Sequence, residues 1–373
     1  MKRSVLRLML ALPLCVPPVA LTPVAQAAQP QAQQILYVYN WSDYIGTNTL
    51  GDFTKETGIS VVYDTYDSAE TAQAKLMAGD TGYDVVVHSA STYGPPDIQA
   101  GVFMKLDKSK LPNLKYLDPK VLAFFNKYDP GEQYGVPYMW GTTGFTYNVD
   151  MIKARMPDAP VGSLAMLFDP AVVSKFKDCG VSFFDSPADV MPMALSYLGL
   201  DPNSQNPADY AKAEAMLAKV RPYVRTFDNA NYLTALPEKS VCIAMTWSGD
   251  YATAMNNAKS AGIDVNLAYT VPKEGSGLWF DSLFIPSDAP NPDLALIFIN
   301  YMMRPRVIAD ASDTTNYANA NLAATPLVDP SITGDKAIYP DAETLKRCFA
   351  EMPPDPVAMR AETRTFTEFK TGT

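Results

Sequence analysis

Histidine is almost missing: the 373 residues hold one, His88. A Ser-His-Asp triad, a Cys-His dyad or a histidine-rich metal site would have to rest on that residue alone. His88 follows the apolar run Val85-Val-Val87, so it reads as a structural or rim residue at a strand end. Cysteine is scarce too. There are four, none in a CxxC pair, which excludes zinc-ribbon and dithiol redox chemistry of that kind. No GxGxxG and no phosphate-loop motif occurs, so a Rossmann cofactor or a nucleoside triphosphatase is not indicated. Positive charge is short, with 30 Lys+Arg against 40 Asp+Glu and a net charge of −10. An acidic surface repels phosphate backbones, which makes nucleic acid a poor partner and suits a protein that collects cations. No cofactor and no metal are expected.

Long uninterrupted apolar runs are also lacking. Lys2, Arg3 and Arg7 precede the apolar stretch Val5 to Leu14, and Ala25-Gln-Ala27 offers a small-x-small cleavage site. Pro13, Pro17 and Pro18 interrupt this stretch, and a membrane span needs about 20 residues. Residues 1–27 are therefore expected to be an export signal cleaved near Ala27, leaving a soluble, exported chain. Leu14 before Cys15 argues against a lipid anchor, since that position calls for a small residue. The removal takes away three basic residues and no acidic one, moving the charge from −10 to −13. In an oxidising compartment a disulfide is expected among Cys179, Cys242 and Cys348. Cys179–Cys242 is preferred, because Val181 to Phe184 and Val241 to Met245 read as strands that could be neighbours. Cys348 is then a lone thiol.

What is present is a regular alternation. Ile35 to Tyr39, Val61 to Tyr63 and Tyr83 to Val87 read as strands, and Thr47 to Glu56 and Ala69 to Ala78 as helices. Such spacing predicts an α/β fold with parallel strands. Ligands of open α/β sheets bind beyond the carboxyl ends of strands, which singles out Trp41 to Tyr44 and Ser89. About 346 residues after the signal exceed one ordinary core, so two domains are expected. No Gly/Ser- or Pro-rich linker separates them, and no internal repeat is visible. The β-like segment Gly135 to Asn148 could cross between lobes. Residues 187–199, 207–220 and 249–261 read as helices of a second lobe, and Leu267 to Val271 as a strand returning to the first. The expected division is 28–137 with 268–320 in lobe 1, and 138–267 with 321–373 in lobe 2.

Three of four tryptophans stand two or three residues before an aspartate: Trp41 with Asp43, Trp247 with Asp250, and Trp279 with Asp281. An aromatic face attracts a cation and a carboxylate neutralises it. Singly, each pair could be a core tryptophan and a capping aspartate. Three together suggest the walls of one box for an organic cation.

Longer stretches then become specific. Tyr39-Asn-Trp-Ser-Asp-Tyr-Ile45, Leu76-Met-Ala-Gly79, Leu106 to Pro112, Pro137-Tyr-Met-Trp-Gly-Thr142, Cys179-Gly-Val-Ser-Phe183, Pro272-Lys-Glu-Gly275 and Tyr317-Ala-Asn-Ala-Asn321 resemble bacterial periplasmic polyamine-binding proteins, in order and over essentially the whole chain after the signal. The resemblance implies a type II periplasmic binding protein, with two α/β lobes around a cleft. It implies a monomer that captures a small cationic amine of the putrescine/spermidine class and delivers it to the membrane permease of an ABC importer. It supports the Cys179–Cys242 bridge. Carried over residue by residue, it makes Trp41, Ser42, Asp43, Tyr44 and Ser89 the wall that meets one amine. Trp247 and Asp250 become a pair on the second lobe, Trp279 and Asp281 the pair for the other end, and Tyr317 the closing ring.

Two departures bear on ligand length. Asp189 stands where putrescine receptors have glutamate, and Trp279 where they have phenylalanine. The alternatives are an agmatine receptor of the same fold, a signalling receptor, and an exported hydrolase built on two of these carboxylates.

Overall fold

The computed structural model describes residues 34–372, so the expected signal segment and its cleavage site lie outside the described residues. The chain opens with β1 (Ile35–Trp41), β2 (Ser60–Tyr66) and β3 (Val85–Ser89), separated by helices Thr49–Thr57 and Ala69–Ala78. Both β2 and β3 pair with β1 in parallel, as the alternation predicts. Ser68 caps the second helix by accepting from the Thr71 N–H, and Gly58 ends the first at φ 75°.

The long strand β4 (Gly135–Asn148) is buried at every residue. It is followed by β5 (Val181–Phe183), β6 (Thr226–Phe227), β7 (Ile243–Trp247), β8 (Leu267–Thr270), β9 (Ser276–Phe284), β10 (Ala318–Asn319) and β11 (Cys348–Ala350). The hydrogen-bonded order is β2-β1-β3-β9-β4-β7-β5-β6, with β8 and β10 on β4 and β11 on β9. Since β9 runs antiparallel to both β3 and β4, the sheet is mixed. The first half of β4 pairs with β9, and its second half with β7 and β8.

Buried side chains form two separate clusters. One gathers residues of β1 to β3, the first half of β4, β9, and helices Pro292–Met302 and Pro305–Thr315. The other gathers the second half of β4, β5, β7 and helices Pro187–Tyr197, Pro207–Val220 and Pro356–Thr371. Two stretches depart from the sequence reading. Leu267 packs in the second cluster and β8 pairs with the second half of β4, so the return to the first cluster is made by β9 instead. Ala324, Val328, Ile332 and Ile338 pack in the first cluster, although 321–373 reads as second-lobe sequence. Short helices and turns carry these residues, and their spacing holds no signal of which core they face.

Cys179 and Cys242 are bonded, with Cα atoms 5.5 Å apart. The flanking strands are neighbours: β5 and β7 pair in parallel with Val181 opposite Ile243. Cys348 is a free, half-buried thiol. No helix among the described residues is long and apolar enough to cross a membrane.

Candidate functional site

β1 and β3 end at the same edge of the sheet, and their last residues are Trp41 and Ser89. After Trp41 the backbone turns: the Ser42 N–H donates to the Tyr66 carbonyl at 2.9 Å, and Asp43 adopts φ 53°, which aspartate tolerates better than most residues. Asp281 on β9 is the cross-strand partner of Ser89. From the other side, Trp247 ends β7 and Asp250 opens helix Asp250–Ser260, where the helix dipole favours a negative charge. Gly249 between them is required: a Cβ there would press on the Tyr317 ring and the Asn316 carbonyl.

These elements enclose a cleft of about 590 Å³. All eleven candidate contacts line it: Trp41, Ser42, Asp43, Tyr44 and Ser89 on one side, Asp189, Trp247 and Asp250 on another, and Trp279, Asp281 and Tyr317 between. Trp41 packs edge-on to Trp247 with centroids 6.4 Å apart, and Trp279 edge-on to Tyr317 at 5.3 Å. Trp247 lies against the side chains of both hydrophobic clusters.

The pairing seen along the sequence is exchanged in space. The indole N–H of Trp247 donates to Asp189 Oδ1 at 2.9 Å, not to Asp250. Asp250 instead accepts from the hydroxyls of Tyr317, at 2.5 Å, and Tyr232. Trp41 and Tyr44 face the Asp281 carboxylate, but the Trp41 indole N–H and the Tyr44 hydroxyl are buried and complete no hydrogen bond among the described residues. Asp43 lies exposed at the cleft margin.

Among the described residues seven carboxylates line the cleft, and no lysine, arginine or histidine does. Asp281 is buried, and Asp189 and Asp250 open only partly onto the cleft. Burial pushes Asp281 up to about 7, while its neighbours Tyr44 and Trp41 hold it down in part. Burial likewise pushes Asp189 up to about 6 against the pull of Ser186 and Trp247, and Asp250 to about 6 against Tyr232 and Tyr317. Glu351 is likewise raised well above the usual carboxylate range, by burial first and by Asp189 next. Such a cleft carries uncompensated negative charge at neutral pH.

His88 is not part of this surface. It is fully buried behind it, stacked on Tyr93 at 5.2 Å, and burial drives it down to about 3, so it is neutral. Sequence reasoning missed Glu351, Glu70, Tyr66 and Tyr232. Tyr66 had a signal, the carboxyl end of β2. Glu70 looked like an ordinary first-turn acid, and nothing near Tyr232 or Glu351 marks them. No group of three or more His, Cys, Asp or Glu among the described residues is placed to hold a metal ion.

A family model for bacterial extracellular solute-binding proteins matches residues 49–340. The chain belongs to this family. It is 46% identical over 350 residues to the putrescine-binding periplasmic protein SpuD of Pseudomonas aeruginosa strain UCBPP-PA14, covering 94% of this chain and 95% of that one. It is 46% identical over 355 residues to the putrescine-binding periplasmic protein PotF of Escherichia coli K12, covering 95% and 96%. A solved structure described as a spermidine/putrescine ABC transporter from Listeria monocytogenes superposes with a TM-score of 0.81 at 32% identity, covering 91% of this chain and 100% of that one. The fold is that of the periplasmic binding proteins, and the protein is a solute-binding protein, not an enzyme. The hydrolase alternative falls with that result.

Proposed function

We propose that this protein is the periplasmic receptor of an ABC importer and binds a linear polyamine in the cleft. The observation that carries the reading is the lining itself: carboxylates and aromatic rings with no basic residue among the described residues. A protonated polyamine has ammonium ends joined by apolar methylenes. Burying its charges without counter-charges would cost many kcal/mol, and a cation–π contact returns only about 0.5–2 kcal/mol. Asp250 and Asp281 would hold one ammonium and Asp189 another, with Trp41, Trp247 and Trp279 along the methylenes and Tyr317 closing the box. Ser42, Asp43, Tyr44 and Ser89 would shape the near wall. The names of the relatives support the ligand class and the membrane permease as partner.

The two hydrophobic clusters support two lobes that close on the ligand, with β4 contributing to both. In this division residues up to about 340 stay with the first lobe, and β8 goes with the second. Export through the segment 1–27 and action as a monomer complete the proposal.

A thermal-shift titration tests it. Ligand bound only by the folded state adds about 2.7 kcal/mol at a hundredfold excess over Kd. Putrescine or spermidine raises the melting temperature, while neutral sugars and amino acids leave it in place. A shift with a sugar and none with any amine ends the polyamine reading.

The pH dependence follows from the same groups. An ammonium needs the carboxylates ionised, and alkylammonium groups stay protonated well above neutrality. Asp281 near 7 and Asp189 and Asp250 near 6 are ionised above about pH 7 and become protonated as the pH falls. Affinity is therefore full at pH 8 and drops about tenfold or more by pH 5.5. Binding at pH 6.5 releases protons, seen calorimetrically as a heat that varies with the buffer. A flat profile over this range contradicts the assignment.

A further inference from the structure

The chain's one histidine sits between the cleft wall and two polar side chains that binding leaves unused. His88 and Asp97 are fully buried, and Gln73 is half-buried beside them. Three elements bring them together: β3 carries His88, helix Ala69–Ala78 carries Glu70 and Gln73, and helix Gly94–Ala100 carries Asp97. Prolines suit the first turn of that last helix, where no N–H is needed. The Asp97 N–H donates to the Tyr93 carbonyl at 3.1 Å. Residues four apart in such a turn share a face, and Tyr93 and Asp97 both meet the imidazole.

The contacts fix the proton positions. Asp97 Oδ1 accepts from the Gln73 amide N–H at 2.7 Å, which leaves the Gln73 carbonyl oxygen 3.4 Å from His88 Nε2. Asp97 Oδ2 lies 3.8 Å from the same nitrogen and has no hydrogen-bond partner among the described residues. Two acceptors facing Nε2 require the imidazole proton there, so Nδ1 is bare. On its other side the ring meets the cleft wall. Nδ1 is 3.5 Å from the Tyr66 hydroxyl, which donates to the Val87 carbonyl at 2.5 Å. Tyr66 packs on Trp41 with centroids 4.5 Å apart. The Tyr93 ring stacks on the imidazole, and its hydroxyl donates to Glu70 at 3.1 Å. Trp41, Tyr66, Glu70 and Tyr93 all line the cleft. A buried carboxylate with an orphan oxygen is a costly way to fill a core. Burial pushes Asp97 up to about 6 against the pull of the Gln73 hydrogen bond.

We propose that Asp97, with Gln73, is a positioning residue of the binding site: it sets the proton and orientation of His88, and the imidazole holds Tyr66 and Tyr93 in the cleft wall. This rests on the cleft being the amine site. A proton arriving at Asp97 Oδ2 makes that oxygen a donor to Nε2. The imidazole proton then sits on Nδ1, facing the Tyr66 oxygen, and the ring stays neutral throughout. The other titratable groups around the pair are Tyr39, Tyr66 and Tyr93, which burial keeps protonated. Glu70 lies beyond Tyr93, and Asp281 faces Tyr66 from β9. Lys75, on the helix of Gln73, turns to the Tyr83 hydroxyl instead.

A single histidine makes the test direct, because nitrogen NMR spectra of the untagged protein report one imidazole. The Nε2–H form is expected at pH 8, with the Nδ1–H form growing in as the pH falls through about 6. Asp97→Asn should show the Nδ1–H form at every pH, since its carbonyl takes the Gln73 N–H and its amide faces Nε2. In calorimetric titration with putrescine at pH 8, Asp97→Ala and His88→Phe are expected to weaken binding about threefold to thirtyfold. Asp97→Asn, which keeps a hydrogen bond to the ring, should weaken it less. Melting temperatures establish which variants remain folded, and the asparagine spectrum decides the matter if the other two do not. An imidazole whose tautomer ignores both pH and Asp97→Asn overturns the proposal. So do folded Asp97→Ala and His88→Phe variants that keep wild-type affinity, and the polyamine reading then survives. A wild type that binds no amine overturns both.

Discussion

Asp281→Asn is expected to weaken amine binding by roughly 2–5 kcal/mol while leaving the protein folded. The carboxylate is buried, makes no ion pair among the described residues, and faces the unsatisfied Trp41 indole N–H and Tyr44 hydroxyl. On the polyamine proposal its task is to oppose a positive charge that arrives with the ligand. Asparagine keeps the size and removes the charge. Stability should move the other way. An aspartate whose folded pKa lies above its unfolded value binds more protons folded than unfolded between the two. The stability of the empty wild type therefore falls as pH rises from about 4 towards about 7. At pH 8 the ligand-free Asp281→Asn variant should melt no lower than the wild type, and calorimetric titration should show the lost affinity. Wild-type affinity in this variant would remove Asp281 from the site, and a collapse in melting temperature would make it a structural residue.

Loss of the Cys179–Cys242 bond is expected to lower stability by about 4 kcal/mol. The cysteines are 63 residues apart, and closing a loop of that length restricts the unfolded chain by roughly this amount. A reductant, or the double change Cys179→Ser with Cys242→Ser, should shift the denaturation midpoint accordingly. Cys348→Ser should leave it unchanged, because that thiol is unbonded. The bond lies in the second hydrophobic cluster, away from the cleft lining, so amine affinity should persist in the folded fraction. A midpoint that ignores the reductant would show that the β5–β7 pairing holds without it.

The parallel start of the sheet was legible because β1, β2 and β3 alternate with capped helices, and short-range patterning is enough to specify that. Helix Pro207–Val220 was legible for the same reason. The antiparallel insertion of β9 between β3 and β4 was not, since strand pairing at such separation leaves no periodic trace. Nor could spacing reveal that Ala324 to Ile338 pack in the first cluster.

The site divides along the same line. Residue types alone pointed to an acidic, aromatic cleft: Trp–Asp pairs at strand ends, few basic residues and one histidine. Chain order could not say which acid meets which ring. Trp247 reaches Asp189 across 58 residues, and Asp250 is held by Tyr232 and Tyr317 from two other elements. Glu351 gained its place only when β11 paired with β9 over the space left by Gly277. Local sequence sets which groups stand at the ends of strands and helices. Only the packing of those elements decides which charges share a low-dielectric space, and in such a space charge decides what binds.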